Sequence, residues 1–421
     1  MIRWISFQSL IGGMMIGAER AFGSSPLFTI DYDGIDRANS SAYVNYMRNV
    51  RNLDFRQLVI DGDLLSRSQN FKTADDELFF KKECHDIDVV CAVPICSGLS
   101  QANTNKKGDK ARGACAVQNN NMIGITEFTL SKIMPKVFIF ENAPILASKS
   151  SESLRETIND IAKKYNYSVT YVKTNTNLHS NVQYRQRTFV IMWKDSKCPL
   201  LEMVNNRRGS IEEYLSDIDP EAPYQTEEYT LFKDFNTNTY IKYIKEKYGS
   251  NYRDCWERTG YLSVTNLIEG LNDFDFAETI VDDESRKFLE HIKKKRAEGK
   301  NYFDCGPIWY GRNRVPTIFG RTIDRLVHPT EERGYNIREL LKFMGMPDDF
   351  VFDNPMKNLE YIGQNVPVIT AQDWCLQIKK FLDNELTITN RSIDIFDNIK
   401  LANDSKKKIN VFNFGKKKTP N

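Results

Sequence analysis

The sequence of 421 residues lacks the patterns that indicate a metal site, a redox centre or a membrane span. Its eight cysteines include no C-x-x-C pair, and its four histidines show neither H-x-x-H nor H-E-x-x-H spacing. We therefore predict reduced thiols and no metal site. No apolar run approaches the ~20 residues that span a bilayer, and the chain does not open on a charged and then apolar leader. We expect a soluble, cytoplasmic protein.

The chain also has little net charge, because 58 Lys and Arg residues stand against 56 Asp and Glu residues. A charge of +2 does not by itself indicate a nucleic-acid partner, so any basic surface has to be local. Residues 291–300, Arg312 and Arg314 place cations among aromatic residues, and Ser405–Asn421 holds six lysines and no acid. A charged run is as often a solvated helix face as a binding surface, so both interpretations stay open.

What the sequence does contain is an alternation of short apolar and longer amphipathic runs from Ile2 to Trp193. This pattern is typical of a doubly wound α/β fold with a mostly parallel sheet. The predicted strands are Trp4–Ser9, Leu27–Asp31, Leu58–Asp61, Asp88–Pro94, Lys136–Glu141, Val169–Lys173 and Thr188–Trp193. The predicted helices are Met14–Phe22, Leu154–Tyr165 and Ala371–Leu382, and the segment Asn336–Phe350 has a helical apolar spacing that ends at Gly345. Such sheets bind ligands at the carboxyl ends of their strands, where we expect the functional residues. The pattern is lost after about residue 200, which indicates a second domain.

The most informative segment is the apolar strand that leads into a Pro-x-Cys-x-Gly turn around Cys96. This position places the Cys96 thiol at the carboxyl end of the sheet. We expect the free backbone N–H groups of the turn to lower the pKa of the thiol and so make it a nucleophile. A buried, inert cysteine is the alternative, and no Cys–His dyad is evident.

A second buried strand ends in Glu141, which we expect beside Cys96 along the same edge of the sheet. A carboxyl group in such a cleft has a raised pKa, so it can donate or share a proton at neutral pH. A helix cap or a surface ion pair is the alternative interpretation.

Together with segments elsewhere in the chain, these two strand ends resemble the motifs of the DNA (cytosine-5)-methyltransferase family, of bacterial or phage type. Pro94–Ser100 resembles the family's Pro-Pro-Cys-Gln-Gly-Phe-Ser, Glu141–Ala143 resembles Glu-Asn-Val, and Gln183–Arg187 matches Gln-x-Arg-x-Arg. Pro316–Ile318, Arg338–Asp348 and Gly363–Val368 resemble further motifs and follow in the family's order.

The resemblance implies a Rossmann-like, S-adenosylmethionine-dependent methyltransferase domain at residues 1–200, completed by residues 355–395. It implies a second, smaller target-recognition domain at 200–354, followed by a basic C-terminal tail at 396–421. The expected protein is a monomer that acts on double-stranded DNA and not on membranes, in a bacterial cell or a phage-infected host.

The resemblance also assigns roles in the reaction. Cytosine C5 is too weak a nucleophile to take a methyl group, so the enzyme flips the base out of the duplex and adds the Cys96 thiolate to C6. Glu141 bonds N3 and the exocyclic amine, and Arg185 or Arg187 holds O2. The residues expected to contact DNA are Ser97, Ser100, Gln183, Arg312 and Arg314.

The donor loop departs from the family pattern. Gln8–Gly13 stands where the family has Phe-x-Gly-x-Gly-Gly, and the family's ribose-binding acid falls at Thr29, with Asp31 nearby. The residues expected around S-adenosylmethionine, or a derivative of it, are Phe7, Gly12, Gly13, Ile30, Asp31, Gly62, Asp63, Leu64, Pro94, Asn365 and Val366. The leading prediction is an active DNA cytosine-5 methyltransferase. The alternatives are a family member with a modified donor or an RNA substrate, and a catalytically impaired DNA-binding protein.

Overall fold

The computed structural model describes residues 1–32, 42–61, 70–100, 113–195, 197–233, 235–238, 241–242, 245–246, 249, 262–263, 283–299, 308–309, 314–319 and 323–405. The predictions for Gly62, Asp63, Leu64, Arg312 and the lysines after residue 405 lie outside these ranges. The chain forms two compact units: one contains Met1–Arg208, Met344–Asp353 and the chain from Asn365 onward, and the other contains Gly209–Phe343 and Asn354–Gln364. No helix within the described ranges is long and apolar enough to cross a membrane.

Thirteen strands and nine α-helices have defined bounds in these ranges. The strands are β1 (Trp4–Phe7), β2 (Phe28–Tyr32), β3 (Arg56–Asp61), β4 (Asn70–Phe71), β5 (Val89–Ala92), β6 (Val137–Asn142), β7 (Tyr167–Asn175), β8 (Gln186–Lys194), β9 (Cys198–Pro199), β10 (Leu262–Ser263), β11 (Ile308–Trp309), β12 (Ile388–Thr389) and β13 (Ile393–Asp397). The helices are α1 (Gly13–Phe22), α2 (Ala74–Glu83), α3 (Asn119–Phe128), α4 (Glu152–Lys164), α5 (Ile211–Leu215), α6 (Asp283–Ala297), α7 (Ile337–Phe343), α8 (Leu359–Gln364) and α9 (Val368–Leu382).

The first unit is built on a nine-stranded sheet in the order β13-β7-β8-β6-β5-β1-β2-β3-β4. Strands β2, β1, β5 and β6 pair in parallel, whereas β8 runs antiparallel to both β6 and β7. The chain passes from β1 to β2 and β3 on one side, and then crosses to β5 and β6 on the other. The strand order therefore reverses at the β1–β5 pair, where ligands bind in such sheets. The predicted fold class is confirmed.

Helices cover both faces of this sheet. Leu154, Ile158 and Ile161 of α4 are buried at the spacing of one helical face and join the core on one side. On the other side α1 packs against α9, whose Trp374 has no exposed surface. Strands β1, β5 and β6 are buried along their whole length, which explains why their sequences read as nearly continuous apolar runs.

The second unit holds α5, α6, α7, α8 and the antiparallel pair β10–β11. Its helix α7 begins with a reciprocal cap: Asn336 Oδ1 accepts the Glu339 N–H and Glu339 Oε2 accepts the Asn336 N–H, both at 2.8 Å. Phe343 at the end of α7 packs against Tyr335 and Tyr214, with ring centroids 5.1 and 6.2 Å away.

The helical spacing predicted from Asn336 to Gly345 is confirmed within two residues, because α7 covers Ile337–Phe343 and Gly345 follows with a left-handed φ of 71°. Two other predicted boundaries were wrong. The helix predicted from Ala371 begins at Val368, directly after Pro367. The tail predicted from residue 396 begins later: Phe396 and Asp397 belong to β13, and residues 398–405 are helical.

The physical reason for the late start of the tail lies in the contacts of β13. This strand pairs in parallel with β7, Phe396 packs on the Trp374 ring, and Asp397 forms an ion pair with Lys173 at 2.7 Å. Two of the named helices of the first unit, α2 and α3, were not predicted, and neither were α5, α6 and α8 of the second. In α2 only Phe80 is buried, so its sequence carries no apolar stripe.

Candidate active site

Three strand ends meet at one edge of the sheet of the first unit. Cys96 follows the carboxyl end of β5, and Glu141 lies near the carboxyl end of β6. Strand β8 runs antiparallel to β6, with Asn142 opposite Thr188, so its first residues lie beside the last residues of β6. Arg187 is thereby brought next to Glu141. The expected proximity of Cys96 and Glu141 follows from the parallel pairing of β5 with β6.

Glu141 and Arg187 form a nearly buried ion pair. Arg187 Nε lies 2.6 Å from Glu141 Oε1, and the Glu141 residue is only 4% exposed. Burial raises the pKa of Glu141 above its ordinary value, while Arg187 and Arg185 oppose that shift. The direction agrees with the expectation from the sequence. A carboxyl group in this state is better able to hold a proton than an exposed glutamate.

Cys96 is partly buried in the turn after β5, and its pKa is raised rather than lowered. Burial is the largest cause and the charge of Glu141 the second, whereas Arg187, Arg185 and a backbone hydrogen bond act in the opposite direction. The predicted lowering was wrong for the protein without substrate, because the contribution of the turn is smaller than that of burial. The resting side chain is therefore a thiol.

Arg185 occupies a different position from Arg187. It is 1% exposed, its guanidinium Nη2 donates to the backbone oxygen of Asn365 at 2.9 Å, and its backbone N–H donates to Asn175 Oδ1 at 3.0 Å. Burial and the neighbouring charge of Arg187 lower its pKa to about 9. Arg185 thus links the start of β8 to the segment Asn365–Val366, and Arg187 is the arginine that meets Glu141.

The side chains predicted to contact DNA are differently placed. Ser97 is exposed and Ser100 half-buried in the turn that carries Cys96, and Arg314 in the second unit is exposed. Gln183 has no exposed surface: its backbone N–H donates to Asn181 Oδ1 at 2.7 Å, and its Nε2 lies 3.7 Å from Met344 Sδ. In this conformation Gln183 is therefore not at the surface where DNA could reach it.

The predicted donor residues Gly12, Gly13, Asn365 and Val366 come together at the carboxyl end of β1. Gly13 N donates to Asn365 Oδ1 at 2.9 Å, and a Cβ on Gly13 would lie 1.9 Å from the Val366 oxygen. Gly12 has φ 97°, and a Cβ there would lie 2.2 Å from the ring of Tyr43. The two retained glycines are required by the fold of this loop.

Other predicted donor residues face inward. Phe7 and Ile30 have no exposed surface, and the Phe7 ring packs against Tyr32 and Phe128, each with a centroid distance of 5.9 Å. Pro94 is buried where the turn after β5 begins. In the part of the chain that the structure describes, Phe7 and Ile30 therefore act as core residues beneath the donor loop rather than as its surface.

Asp31 is a buried carboxylate that accepts hydrogen bonds from other residues of the protein. Asp31 Oδ1 accepts the Ser9 N–H at 3.1 Å, and Oδ2 accepts from Gln57 Nε2 at 2.9 Å and from Thr29 Oγ1 at 3.3 Å. Asp31 is 1% exposed. It ties the donor loop to β2 and β3, a role that the sequence did not indicate.

The donor loop also contains two non-glycine residues in the left-handed region. Gln8 has φ 57° and Leu10 has φ 52°, and Leu10 stands where the family pattern has glycine. The Gln8 side-chain oxygen is buried and accepts no hydrogen bond from any residue within the described ranges. These features distinguish this loop from the one that the resemblance implies.

Two functional candidates were missed in the sequence. Asn119 and Asn121, in the first turn of α3, contact the segments on either side of Cys96. The run Asn119-Asn120-Asn121 directly before an apolar stretch was the available signal, since asparagine is favoured where helices begin.

One cluster of possible metal ligands occurs among the described residues. The side chains of His328, Glu331 and Glu339 bring their ligand atoms within 4.8 Å of one another. Arg333 already pairs with both carboxylates, at 2.8 Å from Glu331 and 2.7 Å from Glu339. The positive charge at this cluster is thus supplied by the protein itself.

Comparison with known proteins identifies the family. The C-5 cytosine-specific DNA methylase family matches residues 2–380. The type II methyltransferase M.DdeI of Desulfomicrobium norvegicum is 21% identical over 341 residues, which cover 74% of this chain and 77% of that protein.

Solved structures support the same fold. A protein encoded within a prophage of E. coli, described as a DNA modification methyltransferase, has a TM-score of 0.54 at 18% identity and covers 91% of this chain and 100% of that one. The methyltransferase EhMeth of Entamoeba histolytica has a TM-score of 0.54 at 13% identity, with 90% and 98% coverage. At such identities the likeness shows the fold alone.

The family match extends over both strand ends that carry Cys96 and Glu141 and over the donor loop, so the predicted family is confirmed. The same match assigns the reaction and the methyl donor that the motifs implied. The chain therefore belongs to the C-5 cytosine-specific DNA methylase family and transfers a methyl group from S-adenosylmethionine to C5 of cytosine in DNA.

Proposed function

We propose that Cys96, Glu141 and Arg187 carry the cytosine chemistry and that the substrate is a base flipped out of double-stranded DNA. The observation that supports this assignment is the meeting of the Cys96 turn with the Glu141–Arg187 ion pair at the end of β6, with Arg187 Nε 2.6 Å from Glu141 Oε1. A thiol, a carboxyl group and a guanidinium at one sheet edge match the three needs of the reaction: attack, proton donation and charge stabilisation.

The steps follow from these groups. The Cys96 thiol loses its proton to water, and its sulfur forms a bond to C6 while the C5=C6 electrons shift onto the ring. Because burial raises its pKa, Glu141 can supply the proton that N3 takes as charge develops, and Arg187 stabilises the charge on O2. When bound, S-adenosylmethionine supplies the methyl group that C5 takes. Loss of the C5 proton to a base then re-forms the C5=C6 bond and expels the Cys96 sulfur as a thiolate, and N3 returns its proton to Glu141.

The thiol of Cys96 has to ionise during the reaction, because its pKa is raised in the free protein. Binding of the base provides the means. Glu141 has to be protonated to donate a hydrogen bond to N3, and in that state it lacks the negative charge that is the second cause of the raised Cys96 pKa. We therefore assign thiolate formation to the substrate complex.

The donor loop fits S-adenosylmethionine through Gly12, Gly13 and Asn365. Side chains at either glycine would collide with Tyr43 or Val366, so the loop can take this conformation only with glycine at both positions. Asp31 supports the loop through Ser9 rather than standing free to bind the ribose. A second candidate function, use of a modified S-adenosylmethionine, is favoured by Gln8 and Leu10, because their side chains replace the family's phenylalanine and glycine.

The second unit is assigned to target recognition. It contains α6, whose Lys293 and Lys294 are exposed, and the exposed Arg314. Cations of this kind mostly contact phosphates and only a few read base edges. The likeness to a type II methyltransferase supports a role in modifying a specific DNA site. We further propose that the enzyme is a monomer of the bacterial cytoplasm.

The test uses duplex DNA in which the target cytosine is replaced by 5-fluorocytosine. The fluorine at C5 cannot leave as a proton does, so an active enzyme should remain covalently attached in denaturant. The native enzyme and Cys115→Ala, which removes an exposed cysteine, should both form the adduct, and Cys96→Ala should form none. An adduct in Cys96→Ala would show that another residue attacks the base. Nucleoside mass spectrometry of modified DNA identifies the transferred group and separates the two donor candidates.

A further inference from the structure

The turn that carries Cys96 is held from helix α3 at its beginning. The backbone N–H of Ile95, the residue before Cys96, donates to Asn121 Oδ1 at 2.9 Å. Asn121 has no exposed surface, so solvent does not compete for this bond. The carbonyl of the same residue lies 3.5 Å from Asn142 Nδ2, next to Glu141 on β6. The Ile95 peptide is thus fixed between α3 and the strand that carries the acid.

The far end of the turn is held from the same helix. Asn119 Nδ2 donates to the backbone oxygens of Gly113 and Ala114, both at 2.9 Å. The Gly113 N–H in turn donates to the Gly98 oxygen at 2.8 Å, two residues after Cys96. Asn119 therefore fixes the segment that closes the turn, whereas Asn121 fixes the segment that opens it.

These asparagines are not the most stable choice for their positions. Asn121 Nδ2 and Asn119 Oδ1 are both buried and have no hydrogen-bond partner among the residues that the structure describes. A buried polar atom without a partner destabilises the folded state, so side chains chosen for stability alone would not leave two of them beside one turn. The other polar atom of each amide group, Asn121 Oδ1 or Asn119 Nδ2, forms the hydrogen bonds to the backbone around Cys96.

We propose that Asn121, assisted by Asn119, is a positioning residue that holds the Cys96 sulfur in line with the flipped base through the Ile95 and Gly98 ends of the turn. This inference rests on the proposed function of Cys96. Rotation of the Ile95 peptide would displace the sulfur relative to Glu141, and a displacement of about 1 Å from a reacting geometry can slow a reaction about 10²-fold.

The test compares two replacements of similar size. Asn121→Leu removes the acceptor of the Ile95 N–H, whereas Asn121→Asp keeps an oxygen at the same place. With 5-fluorocytosine DNA in single-turnover conditions, we expect Asn121→Leu to form the Cys96 adduct about 10²-fold more slowly while its DNA dissociation constant stays near the native value. Asn121→Asp should recover most of the rate at raised pH, because its added negative charge raises the pKa of the nearby thiol without releasing the turn.

Thr126→Val serves as the matched control. Thr126 is buried in the same helix and its Oγ1 donates to the Met122 oxygen at 2.8 Å, so the replacement removes a buried hydrogen bond of α3 that does not involve the turn. We expect this variant to lower the melting temperature without slowing adduct formation. If Asn121→Leu proves too unstable to study, Asn119→Asp tests the other end of the turn by placing a carboxylate against the Gly113 and Ala114 oxygens, and should slow the adduct as well.

The outcomes separate this proposal from the function on which it rests. No adduct from the native enzyme would overturn the role of Cys96. A native enzyme that reacts, together with Asn121→Leu or Asn119→Asp at the native rate, would overturn only the positioning role. Equal slowing by Asn121→Leu, Asn121→Asp and Thr126→Val would also overturn it, because the effect would then follow the stability of α3 rather than the acceptor at Ile95.

Discussion

The cytosine side and the donor side of the first unit use the same sheet edge in different ways. On the cytosine side, the side chains of Cys96, Glu141 and Arg187 lie at or just beyond strand ends. Glu141 and Arg187 form an ion pair, and the charges of both act on the Cys96 thiol. On the donor side, the carboxylate of Asp31 accepts hydrogen bonds from the protein itself. Gln8 and Leu10, which replace the family's phenylalanine and glycine, have a left-handed backbone conformation. The comparison supports the proposal that the motif residues of the cytosine side carry the chemistry, whereas those of the donor side largely hold a loop.

The largest expected effect tests the cytosine side. Glu141→Gln keeps the shape of the side chain but removes its proton and its charge, so stabilisation of the ring during attack is lost. We expect turnover to fall about 10²–10³-fold while DNA affinity changes little, because the bond to N3 strengthens only as C6 is attacked. Steady-state kinetics and DNA titration measure the two quantities. Equal losses in both would assign Glu141 a structural role and would remove the contrast between the two sides.

The pH dependence of the free enzyme tests the state of Cys96. Burial and Glu141 raise the pKa of the thiol above its ordinary value, so the thiolate fraction at neutral pH is small. Below that pKa the thiolate fraction increases about tenfold for each pH unit, and the rate of Cys96 alkylation by iodoacetamide should increase with it until the raised pKa is reached. Mass spectrometry of the Cys96 peptide follows the reaction. A plateau beginning near neutral pH would show that the turn lowers the pKa after all.

The same residues show what the sequence could and could not predict. Strands β1, β5 and β6 were placed within two residues at each end, because a strand covered on both faces reads as a continuous apolar run. Their parallel order then brought Cys96 and Glu141 together. The sign of the Cys96 pKa shift was predicted wrongly, since burial and the charge of Glu141 depend on packing that no local pattern contains.

Contacts across long stretches of chain were likewise beyond prediction. Asn121 holds Ile95 from 26 residues away, and Arg185 binds the Asn365 oxygen from 180 residues away. The residue types gave a hint only for the asparagines, which are common at helix starts. The last two residues of β13, Phe396 and Asp397, were assigned to the tail, and only the pairing of β13 with β7 and the contact of Phe396 with Trp374 make them part of the fold.

The donor side is tested by Asp31→Ala. This change removes the acceptor of Ser9, Thr29 and Gln57 at once, so the donor loop loses its connection to β2 and β3. We expect about a tenfold weaker binding of S-adenosylmethionine by calorimetry, together with a loss of about 2–3 kcal/mol in the free energy of unfolding, since buried donors lose a charged partner. DNA affinity should not change.

Thr29→Val provides the control for this prediction, because it removes one hydrogen-bond donor to Asp31 and leaves the Asp31 carboxylate in place. It should bind S-adenosylmethionine nearly as well as the native enzyme. If Asp31→Ala weakens the binding of S-adenosylmethionine while the free energy of unfolding stays at the native value, Asp31 contacts the ribose directly. The donor side would then resemble the family more closely than the hydrogen bonds of Asp31 indicate.

The smallest expected effect comes from Leu10→Gly. Leu10 has φ 52°, a conformation that costs an ordinary residue about 1 kcal/mol but is open to glycine, although glycine also loses more freedom on folding. We therefore expect a change within about 1 kcal/mol in the free energy of unfolding. Met134→Gly is the matched control, because Met134 has the same φ of 52° outside the donor loop. Both variants should show a similar shift in denaturant titrations, and only Leu10→Gly should alter the affinity for S-adenosylmethionine.

Tighter binding of S-adenosylmethionine by Leu10→Gly would mean that the leucine side chain narrows the pocket. Weaker binding would mean that the side chain contacts the donor and that the loop is built around it. Identical affinity in native enzyme, Leu10→Gly and Met134→Gly would contradict the view that this departure from the family pattern bears on the donor, and the difference between the two sides would then rest on Asp31 and Gln8 alone.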